Sequence, residues 1–312
     1  MSPHSILTRS GPMDVQDSQY GYLPHEWIAI IFVVLYGISL ALHVGQATYY
    51  RMWWLFPTAC LCGLGEVVGW SGRLWSSISP SLYNPFLMQI VSTIIAPTPL
   101  IAVNFILLSW VVTRLGPCYA RLTPIQYAIL FISCDILALV IQAAGGAIAS
   151  SAVTLAGANM GAHIMLAGIV VQFGGSGLNC CAVFADHITQ LQLSHTPTWH
   201  SISCFAISHD RPLRLESRGR GVLDGNLQTM IGALAFSTLL LFIRGIYRII
   251  ELAGGWHGRV LHTEVYFNVL DGGMVVLAIL IINFAHPGRL LGSQRPSLPE
   301  NYAGGKGDGG VE

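Results

Sequence analysis

The stretch Ile125–Ile148, IQYAILFISCDILALVIQAAGGAI, decides the class of fold. It is long enough to cross a bilayer as a helix and contains no Lys or Arg. It does contain one acid, Asp135, and one amide, Gln142, seven residues apart. That separation is about two helical turns and puts both side chains on one face. An ionised Asp near the middle of a membrane costs about 2.5–3.5 kcal/mol on insertion scales. Such an acid is retained where it faces protein, water, substrate or a partner.

The rest of the chain is of the same kind. Of 312 residues, 53% are hydrophobic and only 10% charged, against about 25% charged in soluble domains. Mean hydropathy is +0.59. Several further runs of roughly 18–25 residues are nearly free of charge, the signature of a polytopic helical membrane protein. Lys306 is the sole lysine, and no basic cluster points to nucleic acid as a partner. Cys60, Cys62 and Cys134 fall inside apolar runs, and the spacing of the seven cysteines fits no zinc framework. The N-terminus has no apolar signal-peptide core. A Walker loop and a GxSxG elbow are both absent, which removes ATP-driven pumping within this chain and serine hydrolysis as working readings.

Seven helices are predicted. Residues 1–26 read as a disordered extracellular or lumenal tail, with Pro24 before the start of helix 1 (27–49). Helix 2 (54–74) is glycine-rich, which permits close helix contact. Helix 3 (87–112) contains Pro97 and Pro99, and prolines free carbonyls that neighbours or water must satisfy. Helix 4 is the opening stretch, with Gly145-Gly146 at its end leading into a tight turn. Helix 5 runs from 158 to about 173. Residues 173–222 lose periodicity. Helix 6 covers 223–247, and helix 7 covers 264–284. Residues 27–286 form the transmembrane domain, and 287–312 are a disordered cytoplasmic tail. An odd count puts the termini on opposite sides. Five basic residues fall on the N-terminal side and ten on the other, so the N-terminus is expected outside and the C-terminus in the cytoplasm.

Polar groups recur at bilayer depth: His43, Glu66, Asp135, His163, Arg244 and the Glu264/Asp271 pair, with Asn104 on helix 3. Glu66 and Arg73 are seven apart, as are Glu264 and Asp271. Arg244, Arg248 and Glu251 follow i, i+4, i+7 and share a face. The simplest arrangement is a bundle with these faces inward, in which Glu66, Asp135 and Asp271 meet Arg73, Arg244, histidines or a bound cation. The bland alternative is helix-to-helix ion pairing that only holds the bundle together. The acids at depth outnumber the bases, which favours a protonated acid or a bound cation over a closed set of pairs. A metal site would need His43, Glu66, Asp135, His163 or Asp271 gathered from several helices, since no HExxH or HxxxH pair occurs on one helix. No metal or other cofactor is called for.

With these residues in view, the chain resembles the fungal RTA-like family, the lipid-translocating exporters linked to resistance to aminocholesterol-type compounds. The resemblance rests on YGYLP at 20–24, EVVGWSGR at 66–73, APTPLIAVNF at 96–105 and DILALVIQAAGG at 135–146. RGIYRIIELAGGWHGRVLHTEVYFNVLDGGM at 244–274 and HPG at 286–288 complete it. It implies an all-α, seven-transmembrane-helix bundle in a plasma membrane or endomembrane, with membrane lipids as partners and the possibility of a homo-oligomer. It also implies roles for Glu66, Arg73, Asp135, Gln142, Arg244, Arg248, Glu251, Glu264 and Asp271. The chain departs from the family pattern at 173–222, where it turns His-, Ser- and Cys-rich. The leading expectation is translocation of an amphipathic lipid such as a sphingoid long-chain base or a sterol-like compound, its headgroup bound by intramembrane acids. Two alternatives are a seven-helix lipid or stress sensor and a membrane metal-dependent lipid hydrolase.

Overall fold

In the computed structural model of the chain, the residues described are 20–115, 124–152, 154, 156–174, 224–254 and 258–292. All regular elements among them are helical. Helix α1 spans Glu26–Tyr49. A tight 3-10 turn (Trp53–Leu55) and a wide π-type turn (Phe56–Cys60, containing Pro57) lead into α2, Leu61–Ile78. Helices α3 (Tyr83–Ile95) and α4 (Thr98–Leu115) follow, then α5 (Pro124–Ser151), α6 (Ala156–Gly174) and α7 (Gly225–Ala253). The chain closes with a short turn α8 (Glu264–Tyr266), a π-wound stretch Phe267–Gly273, α9 (Met274–Phe284) and α10 (Pro287–Leu290).

Among the described residues, six segments are long and apolar enough to span a membrane: 26–49, 83–111, 133–151, 156–174, 225–253 and 264–290. Helix α2 does not join them, because Glu66, Arg73 and its glycines and serines lower its hydropathy. The outer faces are apolar: Ile30, Ile31, Val34 and Ile38 on α1, Ile136, Leu137 and Val140 on α5, and Leu239, Ile246 and Ile250 on α7 are all exposed. The charges lie inside, including Glu66, Arg73, Arg248 and Asp271. That inversion of the soluble pattern fits a hydrocarbon surround, and the chain is an integral membrane protein.

Several elements differ from the sequence expectation. The single helix 3 is two, broken at Ala96-Pro97, because Pro97 has no N–H to continue the ladder. Gly145-Gly146 are not a helix end: α5 runs through them to Ser151. Helix 6 runs on past Tyr247 to Ala253. Tyr20–His25 belong with the packed body rather than with the tail, since Tyr20 is buried. The poorly patterned 173–222 segment from residue 175 on, with its histidines and arginines, and the tail from 293 lie outside the described residues.

Glycine stripes set the tightest contacts. On α2, Gly65, Gly69 and Gly72 lie i, i+4, i+7 and face Ala96, Thr93 and Gln89 in turn, so α2 and α3 run antiparallel. A Cβ on Gly72 would come within 2.9 Å of the Gln89 nitrogen and the Pro85 carbonyl oxygen. Gly161 and Gly168 of α6 press in the same way against the Gly145, Ala149 and Ala138 backbone of α5. These are close approaches of small-residue faces, as in membrane helix pairs generally. Helices α1 and α9 instead run parallel. Tyr36 donates to the Gly272 carbonyl, His43 meets the Ile279 carbonyl, and Gln46 donates to the Asn283 carbonyl.

Gly72→Ala is expected to lower stability by about 1–3 kcal/mol through overpacking against backbone. Gly37→Ala, where an added Cβ meets nothing within 4 Å, is expected to be neutral or slightly stabilising. Thermal unfolding of the two purified variants in detergent checks the contrast, and equal melting temperatures would refute the packing account.

Candidate functional site

The site starts from a proline. Pro97 cannot donate to the carbonyl four residues back, which is that of Thr93. Arg244 of α7 fills the vacancy, its Nη2 donating to the Thr93 carbonyl oxygen at 2.5 Å. One turn on, Arg248 Nη2 donates to the Thr93 hydroxyl at 2.9 Å. A single residue of α3 thus receives both guanidiniums of α7.

The same two arginines converge on Asp271. Arg244 Nε lies 2.8 Å from its Oδ1. Arg248 grips it with two bonds, Nε to Oδ1 at 2.9 Å and Nη2 to Oδ2 at 2.5 Å. This forked pairing is the strong geometry for Arg and carboxylate. Arg248 Nη1 also donates to Glu251 at 2.7 Å, and the Tyr247 hydroxyl donates to the other Glu251 oxygen at 2.8 Å. Asp271 sits in the π-wound stretch, where each turn takes more residues than in an α-helix. That winding accompanies the divergence of Glu264 and Asp271, whose seven-residue spacing would put them together on a regular helix.

Glu264 belongs to a second network at the start of α1. It accepts from Arg73 at 3.1 Å and from the His25 backbone N–H at 3.0 Å, and its other oxygen lies 2.5 Å from His25 Nδ1. Arg73 also donates to the Tyr22 hydroxyl at 3.0 Å and to Gln89 at 3.4 Å. The Tyr20 hydroxyl donates to Gln89 and lies 3.2 Å from the Ser76 hydroxyl. Burial pushes the Tyr20 hydroxyl up to about 12, so it stays a neutral donor at ordinary pH. Gly21, at φ +70°, makes the turn that lets Tyr20 and Tyr22 both face inward. The residues before α1 therefore form a cap over this end of the bundle. Phe267 separates the two networks, with Arg73 4.7 Å and Arg248 5.3 Å from its ring centre.

Glu66 stands beside the first network without joining it. It is fully buried and within electrostatic range of Asp271, Arg244 and Arg248. Among the described residues neither of its carboxyl oxygens makes a hydrogen bond of good geometry, and the Trp70 indole N–H, one turn on, is the side-chain donor that interacts with it. The expected meeting of Glu66 with Arg73 does not occur, since Arg73 turns to Glu264.

Asp135 lies elsewhere. It is buried on the α5 face that carries Ala138, Gln142 and Gly145, and it interacts with Gln172 of α6. Gln142 donates to Gln172 at 3.1 Å. The single inward constellation expected from the sequence is thus divided. Asn104 joins α4 to α7 through Ser237 and Thr238. His43 is buried against the Ile279 carbonyl, and His163 is exposed on the outside of α6. Among the described residues, no three His, Cys, Asp or Glu side chains are grouped as metal ligands.

Sequence reasoning missed Thr93, Tyr20, Tyr22, His25 and Phe267 as parts of the networks. Thr93 had a readable signal, its place four residues before Pro97. Tyr20 and Tyr22 had the aromatic doublet before Pro24.

The fold and these interior charges define a polytopic α-helical membrane protein whose ionic groups are gathered inside the bundle. The profile described as RTA1 like protein matches residues 59–294, and the chain belongs to that fungal membrane protein family. It is similar to the Saccharomyces cerevisiae sphingoid long-chain base transporter RSB1, with 28% identity over 89% of this chain and 76% of the relative. Saccharomyces cerevisiae Protein RTA1 is 25% identical, covering 86% and 84%. Protoporphyrin uptake protein 1 of the same yeast is 23% identical, covering 84% and 89%. No solved structure shows a significant match.

Asp271→Asn is expected to cost about 3–5 kcal/mol by leaving two buried guanidiniums short of their counter-charge. Thr93→Val, which removes one neutral acceptor, is expected to cost about 1–3 kcal/mol. Denaturation of both variants in the same detergent tests that order, and a Thr93→Val loss equal to that of Asp271→Asn would overturn it.

Proposed function

We propose that this protein translocates amphipathic lipids bearing a cationic amine, of the sphingoid-base class, with Glu66 as the acceptor of the headgroup. The observation that carries the reading is the fully buried Glu66 carboxyl, which pairs with no arginine, beside a network in which Arg244 and Arg248 are ion-paired with Asp271 and Glu251. Arg244 and Arg248 face Asp271, Glu251 and Glu66, two bases against three acids. A bound ammonium or a proton balances that set. The name of the 28% identical yeast relative, a sphingoid long-chain base transporter, supports the amine over the proton alone. Asp135, with Oδ2 unpartnered among the described residues, offers a second acidic stop between α5 and α6.

Seven crossings with the N-terminus outside remain part of the proposal. The parallel run of α1 and α9 fits an odd number of crossings, and counting α2 with the six long spans gives seven. Arg73, Arg244 and Arg248 are buried in the bundle and leave the loop-charge count, so Arg9 and Arg259 are the only basic residues counted on the N-terminal side. That strengthens the expected orientation.

Glu66→Gln is expected to fold normally and to reduce sphingoid-base flipping in reconstituted liposomes at least tenfold. Asp135→Asn is expected to give a smaller reduction. Full flipping rates in both variants at matched reconstitution would sink the headgroup role. Saturable base binding by the wild type without any flux would move the protein from transporter to sensor.

A further inference from the structure

Four aromatic rings surround Arg73. Its guanidinium carbon lies 4.7 Å from the ring centre of Phe267, 5.4 Å from that of Tyr20, 5.7 Å from that of Tyr22 and 5.8 Å from that of Trp70. The Glu264 carboxylate joins them, 3.1 Å from Nη2. Aromatic faces with a carboxylate around one cation are the composition of sites that bind organic ammonium ions. Here the occupant is the chain's own arginine.

That occupant is held less firmly than its neighbour. Arg73 Nε has no hydrogen-bond partner among the described residues, and Nη1 reaches Gln89 only at 3.4 Å. Every guanidinium nitrogen of Arg248, by contrast, donates to a partner at 2.9 Å or less. Two of the four rings, Tyr20 and Tyr22, come from the segment before α1. The Glu264 side chain is 11% exposed and pairs with the 62% exposed His25, so the box borders the surface on that side. Its inner side leads to Glu66. Arg73 and Glu66 are two turns apart on one face of α2, about 10 Å along the helix axis. Trp70 stands between them, a wall of the box whose N–H interacts with Glu66. A cationic headgroup entering from this end therefore meets Arg73 before Glu66. Like charges in a medium of low dielectric repel strongly, so the headgroup advances only as Arg73 withdraws. Exchange of one monovalent cation for another leaves the charge of the box unchanged and Glu264 paired.

We infer that this box is a first ammonium site on the translocation route, filled in the described conformation by Arg73, which the amine of the substrate displaces. Arg73 is a tethered competitor of the substrate. The inference rests on the proposed amine translocation and adds to it a second site, walled by Tyr20, Tyr22, Trp70, Phe267 and Glu264. The ligand takes the guanidinium's own place and needs no pre-formed cavity. Where only part of a population is competent to bind, apparent affinity scales with that part. Weakening the hold on Arg73 therefore tightens amine binding, which loss of a purely structural contact does not do.

The experiment is equilibrium binding of sphinganine to the full chain purified in detergent, with uncharged N-acetylsphinganine as the control probe. Tyr22→Phe keeps the ring and removes the hydroxyl that accepts from Arg73. It is expected to bind sphinganine at least about threefold more tightly than the wild type, with no gain for the control probe. Arg73→Gln is expected to take up tetramethylammonium saturably, followed by tryptophan fluorescence, where the wild type does not. Glu66→Gln as a background separates the two readings. A gain from Tyr22→Phe that persists there supports the box and counts against Glu66 as the sole acceptor. Sphinganine binding that needs Glu66 but is no tighter in Tyr22→Phe overturns the box and leaves the Glu66 reading standing. Absence of tetramethylammonium binding by folded Arg73→Gln also overturns the box, and absence of sphinganine binding by both wild type and Tyr22→Phe overturns both readings.

Discussion

Two arginines of α7 tie the bundle to one threonine and one aspartate, and most of the interior follows from that tie. Arg244 and Arg248 reach Thr93 on one side and Asp271 on the other, joining α3, α7 and the π-wound start of the last long helix. Buried charges of this kind are costly to desolvate, and removing one partner leaves that cost uncompensated. Each feature around the tie supplies a bond. Pro97 makes the Thr93 carbonyl available, the π winding presents Asp271, and Glu251 with Tyr247 completes the far side of Arg248. The glycine stripe on α2 brings α3, and with it Thr93, into close contact.

The tie also explains why the ionic interior is not one cavity. Phe267 stands between the guanidiniums of Arg73 and Arg248 and interacts with both. Its ring lets two like charges occupy neighbouring layers with an electron-rich face between them. One layer faces the cap formed by Tyr20, Tyr22 and His25. The other faces Glu66 and the bundle centre. The α5–α6 pair stands apart, zipped by Gly145, Gly161 and Gly168, and keeps Asp135 with the glutamines of its own contact.

Much of this was legible in the sequence, and the failures have physical reasons. Apolar run length found the long helices, and Pro24 placed the start of α1 within a residue of Glu26. The i, i+4, i+7 spacing of Arg244, Arg248 and Glu251 correctly predicted a shared buried face, because α7 is regular there. The same rule failed for Glu264 and Asp271, since it assumes 3.6 residues per turn and the stretch between them is wound more widely. Gly145-Gly146 misled because glycine near the end of an apolar run reads as a stop, whereas here it is the contact face for α6. Asp135 was grouped with Glu66 and Asp271 on charge alone. Which helices are neighbours is a tertiary fact that no single helix face contains.

The burial of Glu66 bears on how a translocator of this form would work. Its carboxyl is fully covered, with Trp70 one turn away stacked on Phe32 at 4.0 Å and also packed against Phe267. Above Trp70, Arg73 is locked under the Tyr20–Tyr22 cap. In the proposed function a headgroup would reach Glu66 only after some of these contacts part, which would make the described arrangement an occluded one. The contacts differ in how readily they yield. The Arg248–Asp271 fork is bidentate and buried, and it resists opening. The cap is held by a few hydrogen bonds from residues that precede the first helix, one of them at the partly exposed His25–Glu264 pair. Weak, partly solvated contacts are where local opening is least costly, which makes the cap, and not the arginine tie, the part of the fold suited to move.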